Sequence, residues 1–252
     1  MLFRSEDPTR IMRCIRQAAQ LDFEIDKTTE KAIIEHSDLL GTITKTSIVR
    51  ITEEFVRLVK TKQCYKWYKF ICTETKIGDI MDLKYDEDIY EKLKENFDVE
   101  LHIKIALILN NKTSDNISKW CDKYNLSACP HFDKKHTKFI KRSIRGIYLM
   151  NRIGNDVDSR KFIQEIDENR DQDLNNYILL FDILMEKDIN NLIRTNENIV
   201  RKANNVDCNG KILMDKHNIR GKKIQIVKKK LFNLRKFVTD KLLDLNENVD
   251  HI

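Results

Sequence analysis

Apolar residues recur at intervals of three and four positions along most of the chain, and polar residues fill the positions between them. This spacing places apolar side chains on one face of an α-helix. The first such stretch follows Asp7, which can cap free N–H groups, and Pro8, which fits the first helical position. A first helix is therefore predicted here, with a buried face formed by Ile11, Cys14, Ile15, Ala18, Ala19 and Leu21.

The same periodicity predicts further helices along the rest of the chain. Their expected ranges are about 27–36, 48–59, 65–75, 87–97, 99–109, 114–124, 134–152, 158–168 and 173–186. Residues 101–109 are the most apolar, so we expect them inside a helical bundle, with a β-strand as the weaker alternative. Beyond an Asn-rich stretch, 188–205, a short helix and then a basic helix from 222 to about 243 are predicted.

The composition supports an all-α fold. The chain of 252 residues has 6 glycines and 2 prolines, well below the average usage of about 7% and 5%. Folds with many tight turns, such as β-sandwiches and barrels, are therefore poor candidates. No apolar run is long enough to span a membrane and no secretory signal is visible, so we expect a cytoplasmic protein without a membrane partner.

Positive charge is concentrated near the C-terminus. The net charge is +6, and the segment 201–241 contains thirteen Lys and Arg against three acidic residues, a local excess of +10. This distribution permits nucleic-acid binding through the C-terminal region.

The six cysteines indicate reduced thiols rather than a disulfide framework, because they are scattered through helical patterns. One local group, Cys121, Cys129, His131 and His136, contains residue types that bind zinc. Its spacing matches no common structural zinc site, and a polar loop around Pro130 is the preferred interpretation. We therefore predict no metal there.

The polar face of the first helix is the strongest candidate site. Asp7, Arg10 and Arg13 lie three positions apart, so their side chains share a face opposite the apolar stripe. An aspartate accepts from an exocyclic amine and an arginine donates to ring nitrogens or carbonyls, so the group can read the edge of an unpaired base. Spacing alone favours the alternative, a helix cap with solvated ion pairs.

The residues around this face resemble a motif of the class II nucleotidyltransferases, which comprise CCA-adding enzymes and bacterial poly(A) polymerases. Residues 4–26, RSEDPTRIMRCIRQAAQLDFEID, follow the pattern E-D-P-x-R-[IM]-[LM]-R-A-[IV]-R-x-A-A-x-L-G-F-x-I-[DS], with Cys14 in place of alanine and Asp22 in place of glycine. The resemblance implies that Asp7 and Arg10 form the amino-acid template for the incoming base and that Arg13 lies beside them.

Two further stretches extend the resemblance. Residues 47–58 are similar to the neck signature E-R-I-x-x-E-L-x-K-L, with Arg50 and Glu54 matching and one turn apart, able to pair, and Val49 in place of the usual glutamate. The C-terminal segment looks like the tail of CCA-adding enzymes, where a helix start after glycine and its lysines touch the tRNA backbone. The RNA-binding residues implied there are Gly221, Lys222, Lys223, Lys228 and Lys229.

The resemblance implies a neck with the template helix over 1–80, a helical body over 81–204 and a basic tail over 205–252. The family's catalytic head, a Gly-Gly or Gly-Ser turn followed by D-x-D that holds Mg²⁺, has no counterpart in the sequence. The D-x-D pairs at 86/88, 156/158 and 171/173 lie in helical or polar segments. A complete enzyme is expected to use Mg²⁺ with CTP or ATP, whereas this chain alone is expected to be inactive.

Three interpretations follow, all with tRNA or another RNA as the partner. In the first, the chain is the base-selecting, tRNA-binding half of a CCA-adding enzyme and works with a separately encoded head chain. In the second, it is a non-catalytic tRNA-binding protein or a gene remnant. The third places it in the poly(A) polymerase branch, which the aromatic run from Tyr65 to Cys72 favours slightly and the tail does not.

Overall fold

The computed structural model describes residues 7–42, 45–130, 132–154, 159, 162–163, 174–185, 191–194 and 196–197. Within these ranges the regular structure is helical and no β-strand occurs, which confirms the all-α prediction. The α-helices are α1 (Thr9–Leu21), α2 (Lys27–His36), α3 (Lys45–Val59), α4 (Cys64–Thr73), α5 (Ile77–Ile80), α6 (Glu87–Glu95), α7 (Leu101–Ile108), α8 (Ser114–Lys123), α9 (Lys134–Asn151) and α10 (Leu174–Met185). Two 3₁₀-helices, Ser37–Thr42 and Leu126–Ala128, are also described.

The most apolar segment is a helix and not a strand. Every residue of α7 after Leu101 is buried, including Lys104, whose Nζ donates to the carbonyl oxygen of Thr61 at 3.2 Å. A buried ammonium needs such an acceptor, because burial without one costs several kcal/mol, on the order of 5. The position of α7 in the interior of its unit agrees with the prediction from its apolar pattern.

Aspartate side chains cap the starts of α2 and α6. The Asp26 carboxylate accepts from the backbone N–H groups of Thr28 and Thr29, both at 3.1 Å, at the start of α2. At the start of α6, Asp86 accepts from the N–H groups of Asp88 and Ile89 at 3.0 and 3.4 Å. Such caps satisfy N–H groups that have no partner inside the helix.

The start of α1 differs from the prediction. Its N-cap position is occupied by Pro8, and no side chain caps the helix. The carboxylate of Asp7 instead accepts from the hydroxyl of Thr9. At the other end, Leu21 is 59% exposed, although the apolar spacing places it in the buried stripe, because it stands at the last position of the helix where the packed face ends.

Gly78 has a packing role that the sequence did not indicate. It lies in the short helix α5, which was not predicted, and a Cβ atom there would approach the Cα of Cys72 to 2.9 Å. Glycine therefore lets the backbones of α4 and α5 come close together. The turn after α5 is fixed by α8, since the indole N–H of Trp120 donates to the carbonyl of Met81 at 2.6 Å.

The chain divides into two compact units. The first comprises Met1–Tyr148 and Asn175–Glu186, and the second comprises Leu149–Leu174 and Lys187–Ile252. In the first unit α1 packs chiefly against α3, and α3 also contacts α4 and α7. In the second unit the described residues include Ser159, whose hydroxyl donates to the carbonyl of Leu192 at 3.4 Å.

The predicted division into neck, body and tail stays a prediction, and the whole tail, 205–252, lies outside the described residues. Among the residues that are described, no helix is both long and apolar enough to cross a membrane.

The cysteines within the described ranges are free thiols, as the reduced-thiol prediction expects. Burial raises the pKa of Cys72 and of Cys121 to about 12, and that of Cys129 to about 11. Cys121 and Cys129 are buried, His131 lies outside the described residues, and His136 contacts other residues described below.

Candidate nucleic-acid interface

The N-terminal end of α1 carries the predicted base-reading group. A side-chain oxygen of Asp7 lies 3.5 Å from Nε of Arg10, and the two side chains are 41% and 56% exposed. Arg13 is exposed one turn further along the helix. The structure therefore brings Asp7 and Arg10 together and leaves their polar edges open to a ligand. We call these three residues the template group.

The Asp7 carboxylate is ionised at neutral pH. The hydrogen bond from the Thr9 hydroxyl, together with the nearby charge of Arg10, lowers the pKa of Asp7 below its usual value. An ionised carboxylate has only acceptor oxygens, so it accepts an N–H of a base and rejects a carbonyl at the same position.

Glu54 has a different partner from the one predicted. Its Oε2 lies 2.7 Å from Nε of Arg16, and these side chains are only 16% and 11% exposed. Arg50 is exposed one turn earlier on α3. Because α1 packs against α3, Arg16 faces Glu54 across the helix interface, and this contact replaces the predicted pairing within α3.

A basic cleft lies between the C-terminal end of α1 and the turn from α3 to α4. Its volume is about 720 Å³. Four cationic side chains and a single carboxylate line it, and the complete lining is Arg16, Ala19, Gln20, Asp22, Arg57, Lys60, Thr61, Lys62 and Gln63. The buried ammonium of Lys104, bonded to the Thr61 carbonyl, adds positive charge behind this wall. A surface of this kind attracts phosphate groups.

Asp22 holds the two sides of the cleft together. It ends α1 in the left-handed conformation, with φ of 56°, and its N–H donates to the carbonyl of Ala18. Its carboxylate accepts from the side-chain amide of Gln63 across the cleft. The left-handed backbone explains why the related motif has glycine here, since glycine adopts that conformation without steric cost.

An aromatic ring lies beside the cleft. The Nζ of Lys62 is 6.0 Å from the centroid of the Phe97 ring, and Phe97 is 43% exposed. A cationic groove next to an exposed ring is typical of surfaces that bind single-stranded nucleic acid, because the groove follows the backbone and the ring stacks with a base. The sequence offered one signal for this cleft, the spacing of Arg57, Lys60 and Lys62, which was not singled out.

The structure gives no description of most of the remaining predicted residues. Gly221, Lys222, Lys223, Lys228 and Lys229 lie outside the described residues, as do the D-x-D pairs at 156/158 and 171/173.

The pair at 86/88 does not fit a Mg²⁺ site. Asp86 caps α6, and Asp88 binds Nζ of Lys92 at 2.6 Å. Both carboxylates therefore have structural partners.

One segment of the chain matches a known protein family. Residues 22–73 match a family described as the probable RNA and SrmB-binding site of polymerase A. This segment contains Asp22, Arg57, Lys60, Lys62 and Gln63 of the basic cleft.

Curated relatives with similar sequences are CCA-adding enzymes. That of Listeria monocytogenes serotype 4b (strain CLIP80459) is 47% identical over 57 residues, which cover 23% of this chain and 14% of the relative. That of Lactobacillus helveticus (strain DPC 4571) is 29% identical over 119 residues, or 46% of this chain and 29% of the relative. The matches therefore span less than a third of the relatives' lengths.

Solved structures agree on the fold. A CCA-adding enzyme in complex with ATP is similar with a TM-score of 0.54 at 18% identity, over 92% of this chain and 56% of that chain. A tRNA-processing enzyme in its apo form gives a TM-score of 0.50 at 13% identity, over 93% and 60%. The fold is all-α, and residues 22–73 are similar to a family described as a probable RNA-binding site. The chain is therefore similar in fold, and over part of its length in sequence, to CCA-adding enzymes.

Proposed function

We propose that this chain supplies the base-selecting and RNA-binding part of a CCA-adding tRNA nucleotidyltransferase. The observation that carries the proposal is the exposed pair of Asp7 and Arg10, 3.5 Å apart, at the start of the helix that leads into the RNA-binding segment. In this proposal, transfer of the nucleotide is performed by a catalytic head, for which the sequence offers no recognisable motif. That head could be a separate chain.

The template group has the hydrogen-bonding pattern that cytosine and adenine require. Each of these bases presents an exocyclic amine next to an unprotonated ring nitrogen. The Asp7 carboxylate can accept from the amine while the Arg10 guanidinium donates to the ring nitrogen. Uracil and guanine present a carbonyl next to a ring N–H, so both contacts would be mismatched. The expected substrates are therefore CTP and ATP.

The basic cleft is the proposed binding surface for the RNA backbone. It lies at the opposite end of α1 from the template group, so one helix would connect base selection to RNA binding. Its cations come mostly from the segment that matches the RNA-binding family. The predicted lysines of the tail, at positions 222, 223, 228 and 229, would extend this contact along the tRNA.

The proposed complete enzyme uses Mg²⁺, which activates the attacking 3′-hydroxyl and stabilises charge on the transferring phosphoryl group. Asp86 and Asp88 are engaged in a helix cap and an ion pair, so we propose that the Mg²⁺ site belongs to the head. The role of this chain's own residues is therefore to orient the base and the RNA.

A second candidate is the poly(A) polymerase branch of the family. The matched RNA-binding family is described for polymerase A, and this observation favours it. The two candidates differ in their products: a CCA-adding enzyme incorporates both C and A and stops, whereas a poly(A) polymerase incorporates A repeatedly. A non-catalytic tRNA-binding protein would bind RNA and give no product with any head.

The test is reconstitution with a head polypeptide of the family. Adding this chain to the head should produce C and A addition on a tRNA that lacks its 3′ CCA, visible as discrete products on a sequencing gel. Repeated A addition alone would support the poly(A) branch. Binding of tRNA without any product would support the interpretation that the chain is a non-catalytic tRNA-binding protein.

The base-selecting role is tested separately with Asp7→Ala and Arg10→Ala in the reconstituted enzyme. Each should reduce the preference for CTP over UTP by about 10- to 100-fold, since a bidentate contact to a base contributes about 1–3 kcal/mol of discrimination. The matched controls are Lys31→Ala and Glu35→Ala, which remove an exposed ion pair from α2. An unchanged preference in the Asp7 and Arg10 variants would contradict the assignment.

A further inference from the structure

Three side chains that can bind a metal ion meet between α7 and α9. Glu100 stands immediately before α7, His102 lies in its first turn and His136 lies in the first turn of α9. One ligand atom from each residue lies within 4.8 Å of the others. The group is separate from the template group and the basic cleft.

One of the three side chains is buried, and the other two are at least partly exposed to solvent. The His102 side chain is 2% exposed, and its Nδ1 lies 3.3 Å from Oε2 of Glu100, whose side chain is 70% exposed. His136 is 35% exposed and stacks on His102, with ring centroids 4.5 Å apart and planes 14° from parallel. An ion from solvent can therefore reach the group through Glu100 and His136, while the buried His102 holds the inner side of the site.

Each histidine also has a polar partner for its second ring nitrogen. Nε2 of His102 lies 2.6 Å from the side-chain amide of Asn176 on α10. Because the oxygen and nitrogen of such an amide are interchangeable in placement, the Asn176 oxygen can accept the Nε2 proton, which leaves the Nδ1 lone pair for an ion shared with Glu100. In the same way, Nδ1 of His136 lies 3.3 Å from Oδ1 of Asp133, which leaves Nε2 as the ligand atom.

These partners have the arrangement found around bound zinc ions. Histidine ligands in metal sites usually donate their other N–H to a carboxylate or carbonyl, which fixes the tautomer and the ring orientation. The edge of the Phe139 ring against His102, at a centroid distance of 5.2 Å, further restricts the inner imidazole.

We propose that Glu100, His102 and His136 bind a divalent transition-metal ion of the zinc class, with water in the fourth position. Zinc bonds to nitrogen and oxygen of about 2.0–2.2 Å place tetrahedral ligand atoms about 3.4 Å apart. The distance of 3.3 Å between Nδ1 of His102 and Oε2 of Glu100 already matches that value, and the third ligand atom lies within 4.8 Å of both. To bind the same ion, the partly exposed His136 ring would turn out of its stacked position on His102. The bound ion would join α7 to α9 and stabilise that part of the first unit.

Metal binding is tested on the untagged chain by equilibrium dialysis against Zn²⁺ followed by elemental analysis. The wild-type chain should retain one ion, and Glu100→Gln and His136→Ala should lose it. Both substitutions are at accessible side chains, and a circular dichroism spectrum checks that the variants fold. The matched control is His36→Ala, which removes an exposed histidine at the end of α2 and should retain the ion.

Two further variants distinguish this site from the group that the sequence spacing suggested. The double variant Cys121→Ser, Cys129→Ser should keep the ion, and the Co²⁺-substituted protein should show no thiolate-to-metal charge-transfer band. Asp133→Asn should weaken binding by about 10-fold or more. The proposal is wrong if the wild-type chain binds no ion, if His136→Ala retains it, or if the cysteine variant loses it.

Discussion

Two arginines of α1 lie in opposite environments. At the N-terminal end, Arg10 is 56% exposed and forms a long contact with an exposed carboxylate. Two turns later, Arg16 is 11% exposed and holds Glu54 at 2.7 Å across the interface with α3. Both arginines belong to the same helix and the same sequence motif, yet only the second is fixed by packing.

This difference assigns separate roles to the two arginines: the exposed one is available to bind a base, and the buried one stabilises the fold. An exposed ion pair contributes little to stability, because water solvates both charges in its absence. A half-buried pair is costly to break, because one charge remains in a poorly solvated place. We therefore expect substitutions at the template group to change base selection, and those at Arg16 and Glu54 to change folding.

The largest effect is expected for Glu54→Ala. Removing the carboxylate leaves the guanidinium of Arg16 half-buried without its charged partner, and this should lower the free energy of unfolding by about 3 kcal/mol. Urea denaturation measures the change, with Glu35→Ala as the exposed control, expected to cost under about 0.5 kcal/mol. Equal losses of unfolding free energy in the two variants would contradict the distinction between buried and exposed ion pairs.

The next effect concerns the cleft at the C-terminal end of α1. Lys60→Ala and Lys62→Ala should each weaken tRNA binding and reduce the slope of log affinity against log salt by about 1, because each removes one phosphate contact. Filter binding over a range of salt concentrations measures the slope. Lys31→Ala, on α2, should leave it unchanged. A slope that does not respond to Lys60 or Lys62 would place the RNA elsewhere.

A smaller effect is expected at Asp22, which has φ of 56°. Asp22→Ala should destabilise the chain by about 1 kcal/mol, since alanine has neither the local hydrogen bonds of aspartate nor the conformational freedom of glycine. Asp22→Gly should change stability by less than about 0.5 kcal/mol, because relief of the left-handed strain offsets loss of the Gln63 contact. Thermal unfolding compares the two variants, and a larger loss with glycine would contradict this account.

The smallest effect is expected for the pH dependence of Asp7. Its pKa is lowered in the folded chain, so its contribution to stability is present above the unfolded pKa and is lost as pH falls through the lower folded pKa. Wild type should therefore exceed Asp7→Asn by less than about 0.5 kcal/mol at pH 7. That difference should vanish only in strong acid. A difference that vanishes between pH 5 and 7 would show that the Thr9 and Arg10 contacts do not form in solution.

The sequence predicted the helices well because their apolar spacing is regular and local. The range 27–36 predicted for α2 agrees with the structure, and α3, α6 and α8 agree within a few residues. The short helix α5 was missed because four residues carry too little periodicity, and Gly78 was interpreted as a break although it serves a close backbone contact.

Partners across the fold were not predictable in the same way. Arg50 and Glu54 are one turn apart, so local spacing suggested their pairing, whereas Arg16 reaches Glu54 only because α1 packs against α3. Closeness in the sequence also placed His136 in a group with Cys121 and Cys129. Its contact with His102 depends on how α7 and α9 pack. Local pattern identifies elements and exposed motifs, and tertiary packing chooses the partners.

The buried cysteines can be used to measure local unfolding of the chain. Alkylating reagents attack the thiolate, and burial keeps Cys121 and Cys129 protonated at neutral pH. Each modification at these positions would therefore record a moment when the surrounding helices had separated. Labelling followed by mass spectrometry would measure the rate of such openings, with Cys121 reporting on α8 and Cys129 on the 3₁₀-helix Leu126–Ala128 that it follows.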